Sequence, residues 1–137
     1  MCGFFALFST SSVDNCSDIG TKALNAISHR GPDDHGFYVN DSNTLFLGHN
    51  RLSIVDLSSL GHQPMSLGNY KLIFNGEIYN HHHLRSLVNQ HTNARHVWVG
   101  NSDTESILTF ISYFSVHEFL DIALGMFSFC LLDIKKI

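Results

Sequence analysis

Short apolar segments of strand length, set apart by segments of helix length, restrict the fold of this chain more than any other feature. Strands are predicted at residues 3–8, 36–39, 44–48, 70–74, 96–99 and 125–134, with the last in a central position; residues 52–56 are predicted to be extended and 57–69 a loop. Helices are predicted at residues 18–28, 80–90, 103–114 and 118–124. Two groups of strands with helices between them predict a layered α+β fold. The 137 residues suffice for one domain.

Capping residues set the predicted helix ends. Ser17 or Asp18 can cap the first helix, and Gly31 can end it in a left-handed conformation. Ser102 and Glu105 form a capping box at the start of the third helix. The buried face of the first helix is expected at Ile19, Ala23, Ala26 and Ile27.

Composition and charge argue against several classes of function. The net charge is −4 and the eight lysines and arginines are scattered, so no basic patch indicates nucleic acid or an anionic membrane. No stretch reaches about 18 apolar residues, so no membrane span is expected. Cys2, Cys16 and Cys130 form no CxxC pair and no even framework, which favours a reducing cytoplasm.

Cys2 directly follows the initiator methionine, so removal of Met1 would give a chain that begins with cysteine. The thiol and the free α-amine would then share one carbon atom. Their ordinary pKa values, about 8.5 and about 8, make proton transfer between them nearly isoenergetic. This arrangement is typical of an N-terminal nucleophile, in which the amine replaces the histidine of a Cys–His pair. The alternative is a small buried hydrophobic residue that happens to stand second.

Asn75-Gly76 directly follows a predicted strand. A glycine there lets the backbone approach a ligand, and a side-chain amide beside a backbone N–H can form an oxyanion hole for acyl transfer. The alternative is an ordinary turn at the end of a strand, which Asn-Gly often makes.

Charged residues beside these segments suit the two ends of an α-amino acid. Arg51 could bind a carboxylate with its planar guanidinium group, and Glu77 and Asp103 could hold an ammonium group. The alternatives are a surface ion pair between Arg51 and Asp56, and an Asp103 that complements a helix dipole.

Three consecutive histidines, His81 to His83, raise the question of a metal site. Consecutive helical residues point about 100° apart, so the three cannot all bind one ion from a helix. A solvated helix start is the better interpretation, and no metal is expected. The sequence also contains no glycine-rich phosphate loop of the GxxxxGK[ST], GxGxxG or Ser-Gly-Gly type.

Seven segments, taken in order, resemble those of a known family. They are residues 1–3 (MCG), 29–33 (HRGPD), 48–56 (GHNRLSIVD), 61–65 (GHQPM), 75–80 (NGEIYN), 102–105 (SDTE) and 125–127 (GMF). Together they resemble the class II glutamine amidotransferase domain, in the form found in glutamine-hydrolysing asparagine synthetases. The HRGPD and NGEIYN segments favour that branch over the aminosugar and purine branches of the class.

The resemblance implies an N-terminal nucleophile fold, a four-layer αββα sandwich of two antiparallel sheets. It also implies that Cys2 attacks the side-chain amide of glutamine with its own α-amine as base, while Asn75 and the Gly76 N–H stabilise the oxyanion. Hydrolysis of the thioester would give glutamate, and this step would need no cofactor. The substrate-binding residues implied are Arg51 for the carboxylate, Glu77 and Asp103 for the α-ammonium, and Leu52, Ile54, Asn75 and Gly76 around them.

The chain stops soon after the GMF segment, where the family continues. The expectation is therefore a single amidotransferase domain over residues 1–137 that lacks its C-terminal strands and the synthetase domain. ATP and Mg²⁺ would belong to that missing domain, and a synthetase domain or subunit would accept the ammonia. The resemblance leaves a homodimer open.

Two functions of different classes stay open at this stage. One is the glutaminase half of an asparagine-synthetase-like enzyme. The other is a truncated, inactive module that binds only glutamine or a partner protein, with an exposed sheet edge that favours association. A third interpretation, an unrelated hydrolase with a Cys–His pair, gives no role to Asn75-Gly76 and no reason for the position of Cys2.

Overall fold

The computed structural model describes residues 2–54 and 56–136. Its strands are β1 (Gly3–Phe8), β2 (Asp34–Val39), β3 (Leu45–Arg51), β4 (Met65–Leu67), β5 (Tyr70–Ile78) and β6 (Gly125–Asp133). Its helices are α1 (Cys16–Ala26), α2 (His81–His91), α3 (Asp103–Tyr113) and α4 (Val116–Ile122). In this part of the chain, no helix is long and apolar enough to cross a bilayer.

The strands pair into two antiparallel sheets. The first has the order β1-β3-β2 and the second the order β4-β5-β6. The longest ladder joins β5 to β6, from Tyr70 opposite Asp133 to Ile78 opposite Gly125. Helix α1 packs on the outer side of the first sheet, and α3 packs on the outer side of the second, next to α2 and α4. The predicted α+β fold, two antiparallel sheets between layers of helix, is confirmed.

Alternation along the strands divides the apolar side chains among three clusters. Between the sheets, Leu45 and Leu47 of β3 pack near Ile73 and Leu132. Between the first sheet and α1 lie Cys16, Leu24 and Phe46. The largest cluster lies between the second sheet and its helices and includes Leu72, Phe74, Leu84, Ile107 and Phe119. Because successive strand residues point to opposite faces, His49 and Arg51 extend the inner face of β3 toward one end of the sandwich.

Helix α1 differs from the prediction at both ends. It begins at Cys16 and its N-cap is Asn15, in a left-handed conformation with φ of 56°, so neither Ser17 nor Asp18 caps it. It ends at Ala26, and a short 3-10 turn follows. Gly31 has φ of −154°, so it is not a left-handed cap.

The buried face of α1 also differs from the prediction. The residues that face the core are Cys16, Gly20 and Leu24, whereas Ile19 is exposed. The cause is Phe46, whose ring packs against the helix backbone where a Cβ on Gly20 would overlap it. Cys16, Gly20 and Leu24, at a spacing of four, therefore face the sheet, with the Phe46 ring over Gly20, and Ile19 turns outward.

Several strand predictions are wrong. Residues 96–99 form no strand, because the Glu105 carboxylate accepts hydrogen bonds from the N–H groups of Val99 and Gly100 at 2.7 and 3.0 Å. Strand β4 lies in the segment predicted to be a loop, and β6 is an edge strand of its sheet in the described part of the chain. Of the segment 52–56, predicted to be extended, residue 55 lies outside the described residues and the others form no strand.

Candidate active site

A cavity of about 160 Å³ lies between the two sheets at one end of the sandwich. Cys2 precedes β1, Arg51 ends the neighbouring strand β3, and Asn75-Gly76 lies in β5 of the other sheet. The fold thus brings together segments that are far apart in sequence. All eight residues that the sequence singled out line this cavity: Cys2, Arg51, Leu52, Ile54, Asn75, Gly76, Glu77 and Asp103.

The Cys2 thiol is held by the segment that follows β3. The N–H of Leu52 donates to Cys2 Sγ at 3.3 Å, and Sγ lies 3.6 Å from the Leu52 carbonyl oxygen. The Nε of Arg30 donates to the carbonyl of Cys2 at 3.0 Å. The backbone and the sulfur of this residue are therefore both fixed at the mouth of the cavity.

The other two cysteines lie outside the cavity. Cys16 is buried in α1 beside Leu24 and Phe46. Cys130 lies on β6 between the sheets, where burial raises the pKa of its thiol. Neither is placed to act as the nucleophile of this cavity.

Asn75-Gly76 lies within a strand and does not form the turn that was the alternative, because β5 continues to Ile78. Gly76 has φ of 138°, and a Cβ there would overlap the Met126 carbonyl oxygen, so only glycine fits. Asn75 Oδ1 is buried and has no hydrogen-bond partner among residues 2–54 and 56–136. The pair presents a side-chain amide and a neighbouring backbone N–H to the cavity.

Arg51 is buried, with 7% of its surface exposed, and is not part of the surface ion pair that was its alternative. Its Nη1 donates to the Ser58 carbonyl at 2.7 Å, and its Nη2 donates to the carbonyl of Asp56. Gly61 lies so close that a Cβ there would overlap Nη2. These contacts orient the guanidinium and use two of its five N–H donors, so others can bind a carboxylate.

Asp103 is the buried carboxylate of the cavity. It accepts hydrogen bonds from the N–H groups of Ile78 and Thr104 at 3.1 and 2.9 Å. Burial raises the pKa of this carboxyl, and the nearby Glu77 raises it further. Glu77 itself is exposed at the cavity. Two carboxylates of like charge on one side of the cavity favour a ligand cation there.

The prediction assigned no role to several residues that build the cavity. Gln63 lines it, and His49 lies behind it, bonded to the strand that carries Asn75. Arg30 contacts Cys2 as described above. All three lie in segments of the resemblance, HRGPD, GHNRL and GHQPM. Their place in those segments is the sequence signal that points to them.

Fold and cavity together define a class. A thiol at the second residue, in one cavity between two antiparallel sheets with a side-chain amide and a backbone glycine, is the arrangement of the N-terminal nucleophile amidohydrolases. The sequence pattern of the glutamine amidotransferase domain matches residues 1–137. The chain belongs to this family.

Two curated relatives and one solved structure extend the comparison. The chain is 37% identical over 136 residues to a putative glutamine-hydrolyzing asparagine synthetase 2 of Methanocaldococcus jannaschii, covering 84% of this chain and 24% of that protein. It is 38% identical over 141 residues to asparagine synthetase B of Escherichia coli, covering 99% of this chain and 24% of that protein. The chain thus spans about a quarter of the length of these relatives.

The solved structure is the glutamine phosphoribosylpyrophosphate amidotransferase of B. subtilis, complexed with ADP and GMP. It matches with a TM-score of 0.75 over 98% of this chain and 35% of that chain, at 16% identity. At this identity the match shows a shared fold. The resemblance drawn from the seven segments is therefore confirmed for both family and fold.

Proposed function

We propose that this domain hydrolyses glutamine to glutamate and ammonia, with Cys2 as the nucleophile. One observation carries the proposal: the cavity joins the thiol, the Asn75-Gly76 pair and side chains of opposite charge. Thiol, oxyanion donors and a zwitterion-binding pair are together what acyl transfer from the side chain of an α-amino acid requires.

The reaction begins when Cys2, exposed by removal of Met1, passes its thiol proton to its own α-amine. The sulfur attacks the side-chain carbonyl carbon of glutamine, and the oxygen becomes negatively charged. Asn75 and the N–H of Gly76 stabilise that oxyanion. Collapse of the intermediate breaks the C–N bond, and the α-ammonium gives its proton to the departing ammonia. Water then attacks the thioester with the amine as base, which releases glutamate and restores the thiol.

Substrate binding uses the charge separation across the cavity. Arg51 holds the α-carboxylate, and Asp103 and Glu77 hold the α-ammonium, with Leu52 and Ile54 beside the substrate. The buried position of Arg51 and Asp103 supports these roles, because charge-assisted hydrogen bonds are stronger away from water. The groups named supply all the acid, base and oxyanion chemistry, so we assign no cofactor to this step.

The ammonia is proposed to serve an ATP-dependent synthetase domain or subunit that forms asparagine, to which ATP and Mg²⁺ would belong. The similarity to asparagine synthetases about four times as long supports this partner. The cytoplasm is the proposed location, since Cys2, Cys16 and Cys130 are all free thiols. We also keep a homodimer as a proposal, which sedimentation velocity would test.

Release of glutamate from glutamine by the purified chain tests the proposal. We expect turnover in the chain that begins with cysteine, and none in the Cys2→Ala variant or in a chain whose Cys2 amine is blocked by a retained residue. The matched control is Cys16→Ala, which removes a thiol outside the cavity. Glutamine binding without turnover in the chain that begins with cysteine would favour the inactive binding module instead.

A further inference from the structure

Among residues 2–54 and 56–136, the strand edge that carries Gly76 has no neighbouring strand along most of its length. In the described part of the chain, β4 pairs only with residues 70–72 of β5. Beyond Leu72, the side of β5 opposite β6 is therefore open. Backbone groups alternate in direction along an antiparallel strand, so Phe74, Gly76 and Ile78 turn their N–H and C=O groups to this open side.

Buried side chains bind the backbone groups on this open side of β5. Gln63 Oε1 accepts the N–H of Phe74 at 2.6 Å. His49 Nε2 lies 2.9 Å from the carbonyl oxygen of Phe74. Asp103 accepts the N–H of Ile78, as described above. Side chains from outside the second sheet therefore bind both the N–H and the C=O of Phe74. Phe74 immediately precedes Asn75.

The two side chains at Phe74 are built into the core. His49 is fully buried and Gln63 is 5% exposed. A carbonyl oxygen can only accept, so the proton of His49 lies on Nε2. Burial lowers the pKa of His49 to about 4, which keeps the ring neutral at neutral pH. A second hydrogen bond orients the Gln63 amide, because its Nε2 donates to Thr104 Oγ1 at 3.4 Å.

We propose that His49 and Gln63 are positioning residues for glutamine hydrolysis, which hold Phe74 from both sides and so fix Asn75 and the Gly76 N–H around the developing oxyanion. The inference rests on the proposed function and adds to it the residues that set the oxyanion geometry. His49 does not line the cavity, so it acts through the strand and not on the substrate. Oxyanion donors act on the transition state, so their misplacement lowers kcat more than it changes KM.

Amide hydrogen exchange tests the effect on the strand without reference to activity. In Gln63→Leu, the N–H of Phe74 loses its acceptor, and in His49→Phe its carbonyl loses its donor. We expect the amides of residues 74–76 to exchange about tenfold faster in both variants, while residues 70–72 keep their protection through β4. His49→Gln, which retains a side-chain N–H donor, should restore the slow exchange.

Kinetics on the same variants test the effect on the reaction. We expect kcat for glutamine to fall about 10- to 100-fold in His49→Phe and Gln63→Leu, with KM within about threefold and with recovery in His49→Gln. Leu132→Ala, buried between the sheets near the far end of β6, is the control for a general loss of stability, and its kcat per folded chain should stay normal.

The outcomes separate the inference from the function it rests on. If the unaltered chain turns over glutamine and both variants keep kcat within about twofold per folded chain, the positioning role is refuted and the proposed function stands. A fall in kcat without faster exchange at residues 74–76 also refutes it. If the unaltered chain that begins with cysteine has no turnover, the proposed function is refuted, and the positioning role of His49 and Gln63 is refuted with it.

Discussion

Gly61→Ala should weaken glutamine binding without changing any charged residue. The added Cβ would overlap Arg51 Nη2 in the present structure. The group that must move is the end of a long side chain, so the fold can absorb the change while the guanidinium leaves its position between the Asp56 and Ser58 carbonyls. The variant therefore tests whether the orientation of Arg51, and not just its charge, binds substrate.

The size of the effect follows from the loss of the hydrogen bonds proposed between Arg51 and the carboxylate of glutamine. Hydrogen bonds to a charged group contribute about 1.5–3 kcal/mol, which corresponds to about 10- to 150-fold in affinity. We expect KM for glutamine to rise in that range, while kcat at saturating glutamine falls less. Steady-state kinetics with glutamine concentrations up to about ten times the new KM would measure both.

The control for this variant is Gly68→Ala, in the turn before β5. An added Cβ at Gly68 meets nothing within 4 Å, but its φ of 57° is strained for alanine, so the substitution costs stability without touching Arg51. Its KM should be normal. An unchanged KM in Gly61→Ala, with the protein folded, would refute the claim that the orientation of Arg51 seen here is needed to bind the carboxylate.

Three further variants or conditions test the fold, each by urea unfolding. Gly20→Ala pushes a methyl group into the Phe46 ring and should lower the free energy of unfolding by about 1–3 kcal/mol. Arg85→Met removes the bonds that Arg85 donates to the Ser102 carbonyl and to Glu105 and should cost about 1.5–3 kcal/mol. The pKa of His49 falls from 6.5 to about 4 on folding, so the unfolded chain binds more protons between these values. Stability should therefore drop by about 3 kcal/mol as the pH falls from 6.5 to 4, and His49→Phe should remove this contribution.

Each of these predictions can fail in its own way. Full stability in Gly20→Ala would mean that α1 does not pack on the Phe46 ring as described. An unchanged free energy of unfolding in Arg85→Met would mean that the contacts of Arg85 with the segment before α3 do not stabilise the fold. An identical pH dependence in His49→Phe would place the acid sensitivity in other groups.

The position of the candidate active site could be predicted from sequence because its residues lie in short segments whose residue types indicate their chemistry. Residue type and the order of motifs single out Cys2, Arg51, Asn75 and Asp103, and the fold places all of them at one cavity. Strand and helix positions were also largely predictable, because apolar periodicity is a local property.

The errors have long-range causes. The buried face of α1 depends on Phe46, which lies on a strand twenty residues or more along the chain and packs where Gly20 has no side chain. Residues 96–99 look like a strand by composition, but the Glu105 carboxylate takes the N–H groups of Val99 and Gly100. His49 and Gln63 bind the backbone of Phe74 because the pairing of β4 with β5 ends before that residue, and no local sequence pattern predicts where this pairing ends.

The proposed reaction depends on Cys2 acting as the nucleophile of an assembled glutamine site. The most direct test is the intact mass of the chain before and after reaction with 6-diazo-5-oxo-norleucine, a glutamine analogue that alkylates such a nucleophile. We expect loss of Met1 and a single adduct, which disappears in Cys2→Ala and persists in Cys16→Ala. An adduct that survives in Cys2→Ala, or no adduct on a chain that has lost Met1, would show that Cys2 is not the nucleophile of an assembled glutamine site.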